Sequence, residues 1–277
     1  MCIDSQVKPI LRWAGGKSWL IPRLRGVIPN YVNRYIEPFA GSAALFLDLI
    51  KRAHNVSEYY LSDLNKELID TYTTLRHNPE AVIKCLKNLE NTIDCYYKTR
   101  EQISGDIYET AARFIFLNRT CFNGLYRVNK HNVFNVPYGN KSYRVLFDFD
   151  NLRVFSELLK KAYLAHLDFS DTLEFITPTS LVFLDPPYTV AHQNNNFVKY
   201  NQKLFSWDDQ LRLAEYIQSL KRIGAKFIMT NASHLSTEQL FSGLGTAVQV
   251  QRHSVIGSKP QYRKKVEELI ITNLHWR

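Results

Sequence analysis

Four consecutive residues, Asp185-Pro186-Pro187-Tyr188, carry the clearest chemical potential in this 277-residue chain. An exocyclic amine on a nucleobase is a poor nucleophile, because its lone pair is delocalised into the ring. A fixed carboxylate and a backbone carbonyl, each accepting one N–H, orient that nitrogen and favour the charge that develops on it during a transfer reaction. Asp185 supplies the carboxylate. Pro186 lacks an N–H but keeps its carbonyl, and the Pro186-Pro187 pair stiffens its direction. Tyr188 offers a stacking face for a base. A stiff loop exit with a capping aspartate would use the same four residues, so the setting must decide between the two.

Two glycine-bearing segments offer backbone to a small ligand. Trp13-Ala14-Gly15-Gly16-Lys17-Ser18 looks superficially like a P-loop, but that loop needs glycine five positions before Gly16, where Leu11 stands. A nucleoside-triphosphatase reading is therefore set aside, and a Gly-Gly turn with Lys17 as a nearby cation is retained. Glu37-Pro38-Phe39-Ala40-Gly41-Ser42 leads from an apolar run into an apolar helix pattern (Ala43, Leu45, Phe46, Leu49), and its glycine lets a ligand approach the main chain.

The elements that must hold these segments are short apolar runs ending in acid. Tyr35-Ile36 runs into Glu37, Tyr59-Tyr60-Leu61-Ser62 into Asp63, Tyr163-Leu164-Ala165-His166-Leu167 into Asp168, and Leu181-Val182-Phe183-Leu184 into Asp185. Runs this short and rich in branched and aromatic residues read as buried strands. Ser206 with Asp209 three residues on opens a helix whose stripe is Leu213, Ile217 and Leu220; Gly224 ends it, and Phe227-Ile228-Met229 resumes a strand. Strand–helix–strand units imply a parallel sheet with covered faces, which binds ligands beyond the carboxyl ends of its strands. Glu37, Asp63, Asp168 and Asp185 are thus expected to converge on one crevice, for a ligand rich in hydroxyls and amines.

Between Asp63 and Asp168 lies too much chain for one crossover helix. Residues 66–103 and 107–118 read as helical, whereas 119–143 are polar, aromatic and loop-like, with turns at Asn123-Gly124 and Pro137-Tyr138-Gly139. The block reads as an inserted subdomain.

Charge adds a partner class. The net charge is +9, from 35 Lys and Arg against 26 Asp and Glu. Residues 5–36, 110–147 and 239–266 contain no acid; these 98 residues hold 17 of the basic residues. The remainder carries 18 basic against 26 acidic residues, a net −8. An acidic scaffold with three basic, acid-free segments suits a polyanion. The four cysteines (Cys2, Cys85, Cys95, Cys121) form no metal-ligand spacing and no disulfide framework, which points to a reducing compartment and no metal. With no leader and no long apolar run, the chain is expected to be neither secreted nor membrane-spanning.

Taken in order, these segments resemble the Dam-type (class D12) DNA adenine-N6 methyltransferases over nearly the whole chain. Leu11-Arg12-Trp13-Ala14-Gly15-Gly16-Lys17 is similar to that family's N-terminal motif, Glu37-Pro38-Phe39-Ala40-Gly41 to its cofactor loop, and Ser62-Asp63-Leu64-Asn65 to its second cofactor motif. Leu117-Asn118-Arg119, Phe122-Asn123-Gly124-Leu125-Tyr126-Arg127 and Phe134-Asn135-Val136-Pro137-Tyr138-Gly139 resemble its DNA-reading segment. Asp185-Pro186-Pro187-Tyr188 matches its catalytic motif, and Arg263-Lys264-Lys265-Val266-Glu267-Glu268-Leu269 its C-terminal strand.

The resemblance implies a Rossmann-like, S-adenosylmethionine-dependent α/β methyltransferase domain, residues 1–63 and 150–277, with a mainly helical target-recognition subdomain inserted at 64–149. It implies Asp185, Pro186, Pro187 and Tyr188 as catalytic residues. Trp13, Lys17, Glu37, Phe39, Gly41, Asp63, Asp168, Phe169 and Asp185 would bind S-adenosylmethionine, with Asp63 on the ribose hydroxyls. Arg12, Arg119, Phe122, Asn123, Leu125, Arg127 and Pro137 would bind double-stranded DNA, Phe122 wedging into the duplex as the adenine flips out. The expected product is N6-methyladenine within GATC, made without a metal by a monomeric, cytoplasmic protein of bacterial or phage origin. Two departures stand out. Ala43 occupies the second glycine of the family's Phe-x-Gly-x-Gly pattern, and Phe122 and Arg12 stand where one branch has Tyr and Lys. The alternatives are an N4-cytosine methyltransferase, since cytosine presents a similar amine, and a catalytically inactive DNA-binding relative.

Overall fold

Each of the short apolar runs folds as a strand. The computed structural model describes residues 7–52, 54–129, 131, 133–189, 205–253 and 265–276. Its strands are β1 (Tyr31–Glu37), β2 (Asn55–Asp63), β3 (Ala162–His166), β4 (Ser180–Leu184), β5 (Lys226–Ala232), β6 (Thr246–His253) and β7 (Lys265–Thr272). They are ordered β3-β2-β1-β4-β5-β7-β6 in a seven-stranded sheet. Every residue of β4 is buried, as expected for a continuous apolar strand with both faces covered.

The parallel arrangement expected from strand–helix–strand spacing is found for β1, β4 and β5, where Ile36 pairs with Val182, and Val182 with Phe227. It is corrected at the C-terminus. There β7 runs antiparallel between β5 and β6, pairing Ala232 with Glu268 on one side and Val250 with Glu268 on the other. Connection length explains this: only residues 254–264 separate β6 from β7, fewer than the roughly dozen that a parallel crossover needs.

The chain divides into two compact units. One takes in the described residues of Met1–Trp19, Gly41–His54 and Leu61–His166; the other takes in those of Leu20–Ala40, Asn55–Tyr60 and Leu167–Arg277. In the second unit the helix Trp207–Ile223 begins on a reciprocal cap between Ser206 and Asp209 and stops at Gly224, whose φ of 88° lies in the left-handed region. Its stripe of Leu213, Ile217 and Leu220 packs into one core with Val182, Leu184, Phe227 and Met229.

In the first unit the helical stretch expected at 66–103 is three helices, Lys66–His77, Pro79–Leu86 and Ile93–Glu101. The breaks are chemical. Asn78 caps the second helix and Pro79 cannot donate into the first; Thr92 caps the third. Ile107–Thr120 then forms a longer helix capped by Asp106. These helices bury Tyr72 against Phe155 (ring centroids 5.3 Å apart) and Tyr96 against Phe116 (6.3 Å).

Ala43, the residue in the family's glycine position, adopts φ 53° and ψ 35° just before the helix Ala44–Lys51, and it is fully buried. The left-handed conformation costs a Cβ-bearing residue about 1–2 kcal/mol. Glycine would relieve that strain, but it would lose a buried methyl, about 0.8 kcal/mol, and add flexibility to the unfolded chain. We therefore expect Ala43→Gly to leave stability within about 1 kcal/mol of the parent. Ala43→Val, β-branched and larger, is expected to cost roughly 3 kcal/mol. Thermal denaturation checks both, and an unchanged melting temperature for the valine variant would refute the strain.

Candidate active site and nucleic-acid interface

The N-terminal turn, the loop after β1 and the end of β2 are wired together within the first unit. Asp63 closes β2 and accepts the Gly41 N–H on Oδ2 (3.0 Å) and the Asn65 N–H on Oδ1 (2.9 Å). Tyr72 donates its hydroxyl to the Gly41 carbonyl at 2.7 Å. Burial pushes the Asp63 carboxyl above its ordinary range, and the N–H donors of Asn65 and Gly41 act against that rise. The half-buried ring of Trp13 lies directly over Gly41: a Cβ there would sit 2.7 Å from Trp13 Cδ1. Trp13 in turn stacks on Tyr126 (centroids 5.8 Å apart, rings inclined 22°) and leans on Phe114. Lys17 is buried and donates from Nζ to the Gly15 carbonyl at 2.6 Å, while Gly15 has φ 81°. Trp13, Gly41 and Asp63 are thus brought into one contact chain. A carboxylate at a strand end, a side-chain-free loop and a flat indole suit a nucleoside with vicinal hydroxyls.

The second unit holds the remaining expected cofactor residues. Glu37 closes β1, is buried, and accepts the Tyr35 hydroxyl at 2.8 Å. Phe39 stacks on Phe169 at 5.5 Å, and both rings contact Phe205. Phe39 keeps a partly exposed face; Phe169 is almost wholly covered, with Tyr216 at its edge and the Arg212 guanidinium 4.9 Å above it. Asp168 stands two residues beyond β3, where it caps the short 3₁₀ helix Phe169–Phe175 instead of ending the strand. Its carboxylate accepts from Ser170 and pairs with Arg212. Burial opposes ionisation, but those donors win and hold the carboxyl below its ordinary range.

Asp185 follows β4 directly, and its Oδ1 accepts the Thr230 hydroxyl of β5 at 2.6 Å. Pro186 is buried, Pro187 and Tyr188 are half-buried, and the Tyr188 hydroxyl donates to Glu268 Oε2 on β7 at 2.9 Å. Behind this turn runs a buried polar chain. Asn231 Nδ2 donates to Gln210 Oε1 (3.0 Å), Gln210 Nε2 to Thr189 Oγ1 (3.0 Å), and Thr189 Oγ1 to the Phe205 carbonyl (3.0 Å). Satisfied polar groups of this kind fix a loop in one conformation. Thr230, Glu268, Gln210 and Asn231 carry no role in the sequence reading. Their signal was available in part, since each interrupts an apolar strand or helix face with a polar side chain.

The expected DNA readers fall into two groups in the first unit. Phe122, Asn123, Arg127 and Pro137 are exposed, Phe122 by 47%, on two stretches that run antiparallel through the bridges Cys121↔Tyr138 and Val128↔Phe134. The Phe122 N–H donates to the Pro137 carbonyl at 2.9 Å, and Arg127 Nε to Asn135 Oδ1 at 2.7 Å. Arg12 and Arg119 instead flank the Tyr143 ring at 5.0 and 5.5 Å. Arg119 also donates twice to the Leu146 carbonyl; burial and the neighbouring Arg12 lower its pKa. Leu125 is half-buried. The buried amide of Asn118, unassigned from sequence, clamps the N-terminal segment: Oδ1 accepts the Arg12 N–H at 2.7 Å, and Nδ2 donates to the Arg12 carbonyl at 2.9 Å. Arg263 and Lys264 lie outside the described residues, as does Cys2.

Among the described residues no cluster of three or more His, Cys, Asp or Glu is placed to hold a metal ion, and no helix is long and apolar enough to cross a membrane. The strand order, with its antiparallel β7 between β5 and β6, and the acidic residues at the ends of β1, β2 and β4 define a Rossmann-like methyltransferase. Residues 13–256 match the D12 class N6 adenine-specific DNA methyltransferase family, and the chain belongs to that family. The Type II methyltransferase M.MjaIII of Methanocaldococcus jannaschii is 32% identical over 288 residues, covering 97% of this chain and 99% of the relative. The DNA adenine methylase of Haemophilus influenzae is 35% identical over 273 residues, covering 95% and 92%. That of Escherichia coli K12 is 29% identical over 269 residues, covering 95% and 94%.

Proposed function

We propose that the protein transfers a methyl group from S-adenosylmethionine to the N6 amine of an adenine flipped out of duplex DNA, within GATC. The observation that carries this reading is the Asp185-Pro186-Pro187-Tyr188 turn at the end of β4, with Asp185 held by Thr230.

S-adenosylmethionine supplies an already activated sulfonium methyl, so no metal and no recruited water are required. Trp13, Lys17, Glu37, Phe39, Gly41, Asp63, Asp168, Phe169 and Asp185 are assigned to hold it, with Asp63 on the ribose hydroxyls. The bare Gly41 lies under the Trp13 ring beside the Asp63 carboxylate, an arrangement that suits a nucleoside and in which any side chain at position 41 would collide with the indole. The Asp185 carboxylate and the Pro186 carbonyl each accept one N–H of the adenine amine and aim its nitrogen. Asp185 acts by orientation and by stabilising the charge that grows on nitrogen. Tyr188 stacks on the extruded base, and Pro187 keeps the turn stiff.

Residues 64–149 are assigned as the target-recognition subdomain inserted in a catalytic domain of 1–63 and 150–277. In it Phe122 fills the gap left by the flipped base, and Arg119, Asn123, Leu125, Arg127 and Pro137, together with Arg12 of the N-terminal segment, meet bases or backbone. The enzyme works as a monomer in the cytoplasm of a bacterial or phage-infected cell. Methylation of random-sequence DNA followed by mapping of the modified base tests the whole reading. Tritium from methyl-labelled S-adenosylmethionine should appear in N6-methyladenine at GATC; label at another sequence would overturn the site, and no label would overturn the cofactor.

The acid-free segments make a further expectation. Log affinity for DNA should fall against log salt with a slope of about 0.9 per phosphate contact, so that six contacts cost roughly 1,000-fold between about 50 and 200 mM salt. Titrations at three salt concentrations measure the slope, and a flat response would refute the electrostatic role of those segments.

A further inference from the structure

We infer that Glu268 is a positioning residue for the transfer reaction, acting through the hydroxyl of Tyr188. The inference rests on the reading of Tyr188 as the stacking face for the flipped base. Glu268 is the one acid of β7 that is 1% exposed, within the run Glu267-Glu268-Leu269-Ile270-Ile271. Ladder partners on both sides, Ala232 of β5 and Val250 of β6, hold its backbone. A carboxylate placed there is costly unless its contacts are used. One contact is the Tyr188 hydroxyl, which donates to Oε2 at 2.9 Å.

The neighbouring strand does the same for the other end of the turn. Thr230 of β5, opposite Ile270 of β7, donates to Asp185 Oδ1 at 2.6 Å. Two paired strands therefore grip the first and last residues of Asp185-Pro186-Pro187-Tyr188, and the prolines between them leave little backbone freedom. The residue after Tyr188 is held in turn by the Thr189–Gln210–Asn231 chain. The tyrosine ring is held at its tip, where the hydroxyl donates to Glu268 and also meets Thr230. Burial, then the charges of Glu268 and Asp185, raise the Tyr188 hydroxyl well above its ordinary range, so it stays a donor. With its carboxylate covered in this way, Glu268 acts on a substrate through the ring it holds.

The test uses the full chain, single-turnover transfer to a duplex carrying the mapped site, and 2-aminopurine in place of the target adenine. This analogue brightens on leaving the helix and dims again when stacked on an aromatic ring. Glu268→Ala and Tyr188→Phe are each expected to lower the transfer rate about tenfold, the size of one charge-assisted hydrogen bond, with KM for DNA and cofactor changed by less than about twofold. The double variant should be no slower than either single one, Glu268→Gln should recover most of the alanine loss, and flipped 2-aminopurine should be brighter in both single variants. A Tyr188→Phe rate within about twofold of the parent, or a double variant losing the product of the two single losses, would overturn the inference. Should Glu268→Ala not fold, Tyr188→Phe and Glu268→Gln carry the same comparison. Tyr188→Ala separates the two levels. If it transfers normally, the stacking reading itself fails; if it is slow while Tyr188→Phe is not, stacking stands and the role of Glu268 falls.

Discussion

Asp185→Ala is expected to lower methyl transfer by roughly 1,000-fold or more, while affinity for DNA at fixed salt stays within about threefold. The carboxylate is the one anionic group of the turn, and Thr230 holds it at 2.6 Å in a fixed direction. Its removal leaves the amine with a single acceptor, the Pro186 carbonyl, and leaves the growing positive charge on nitrogen without a counter-charge. Misdirection of a reacting atom by about 1 Å alone costs around 100-fold. Thr230→Ala makes a graded companion: it keeps the carboxylate but releases its tether, so a smaller loss, about tenfold, is expected. Rapid-quench measurements with labelled cofactor report the transfer step, and gel shifts report binding. An Asp185→Ala protein turning over within tenfold of the parent would remove the carboxylate from the mechanism.

Gly41→Ala carries the second largest expectation, because it strikes fold and ligand together. Position 41 has φ 45°, and an added Cβ would lie 2.7 Å from Trp13 Cδ1 and 2.9 Å from Trp13 Nε1. Trp13 has nowhere simple to go, since Tyr126 stacks on it and Phe114 leans on it. Backbone strain of about 1 kcal/mol and about 2 kcal/mol of overpacking add to roughly 3 kcal/mol. In a chain of this size that lowers the melting temperature by about 6–12 °C. The displaced indole should also weaken cofactor binding more than tenfold by calorimetry. Gly26→Ala is the control, since a Cβ there meets nothing within 4 Å; its stability should stay within about 0.5 kcal/mol of the parent. Equal melting temperatures for the two variants would mean that the Trp13–Gly41 contact does not constrain the loop.

Much of the framework around the candidate site was legible in the sequence, and the legible part was local. Ser206 and Asp209 announced their helix, Gly224 its end, and Glu37, Asp63 and Asp185 their strand ends, whereas Asp168 caps a 3₁₀ helix two residues past β3, because caps and periodicity are written within a few residues of where they act. The order of motifs from Leu11 to Leu269 was enough to indicate the D12 class, and the match over residues 13–256 bears it out. The helical block was legible as helix but not as three helices, since the Asn78-Pro79 break lies within otherwise helix-favouring composition.

The sequence by itself therefore determined most of the elements and the family. Only the tertiary structure decided what holds them. The Asn118 amide clamps Arg12 across 106 positions of sequence, and Glu268 meets Tyr188 across 80. The antiparallel insertion of β7 between β5 and β6 makes the second contact possible, and no local pattern around Glu268 specifies which strand will lie beside it. Ala43 in a glycine-type conformation is a similar case: the surrounding packing imposes a backbone that its own side chain disfavours. Short-range hydrogen bonds and periodicity set secondary structure, whereas strand order and buried polar pairing follow from the collective burial of a whole core.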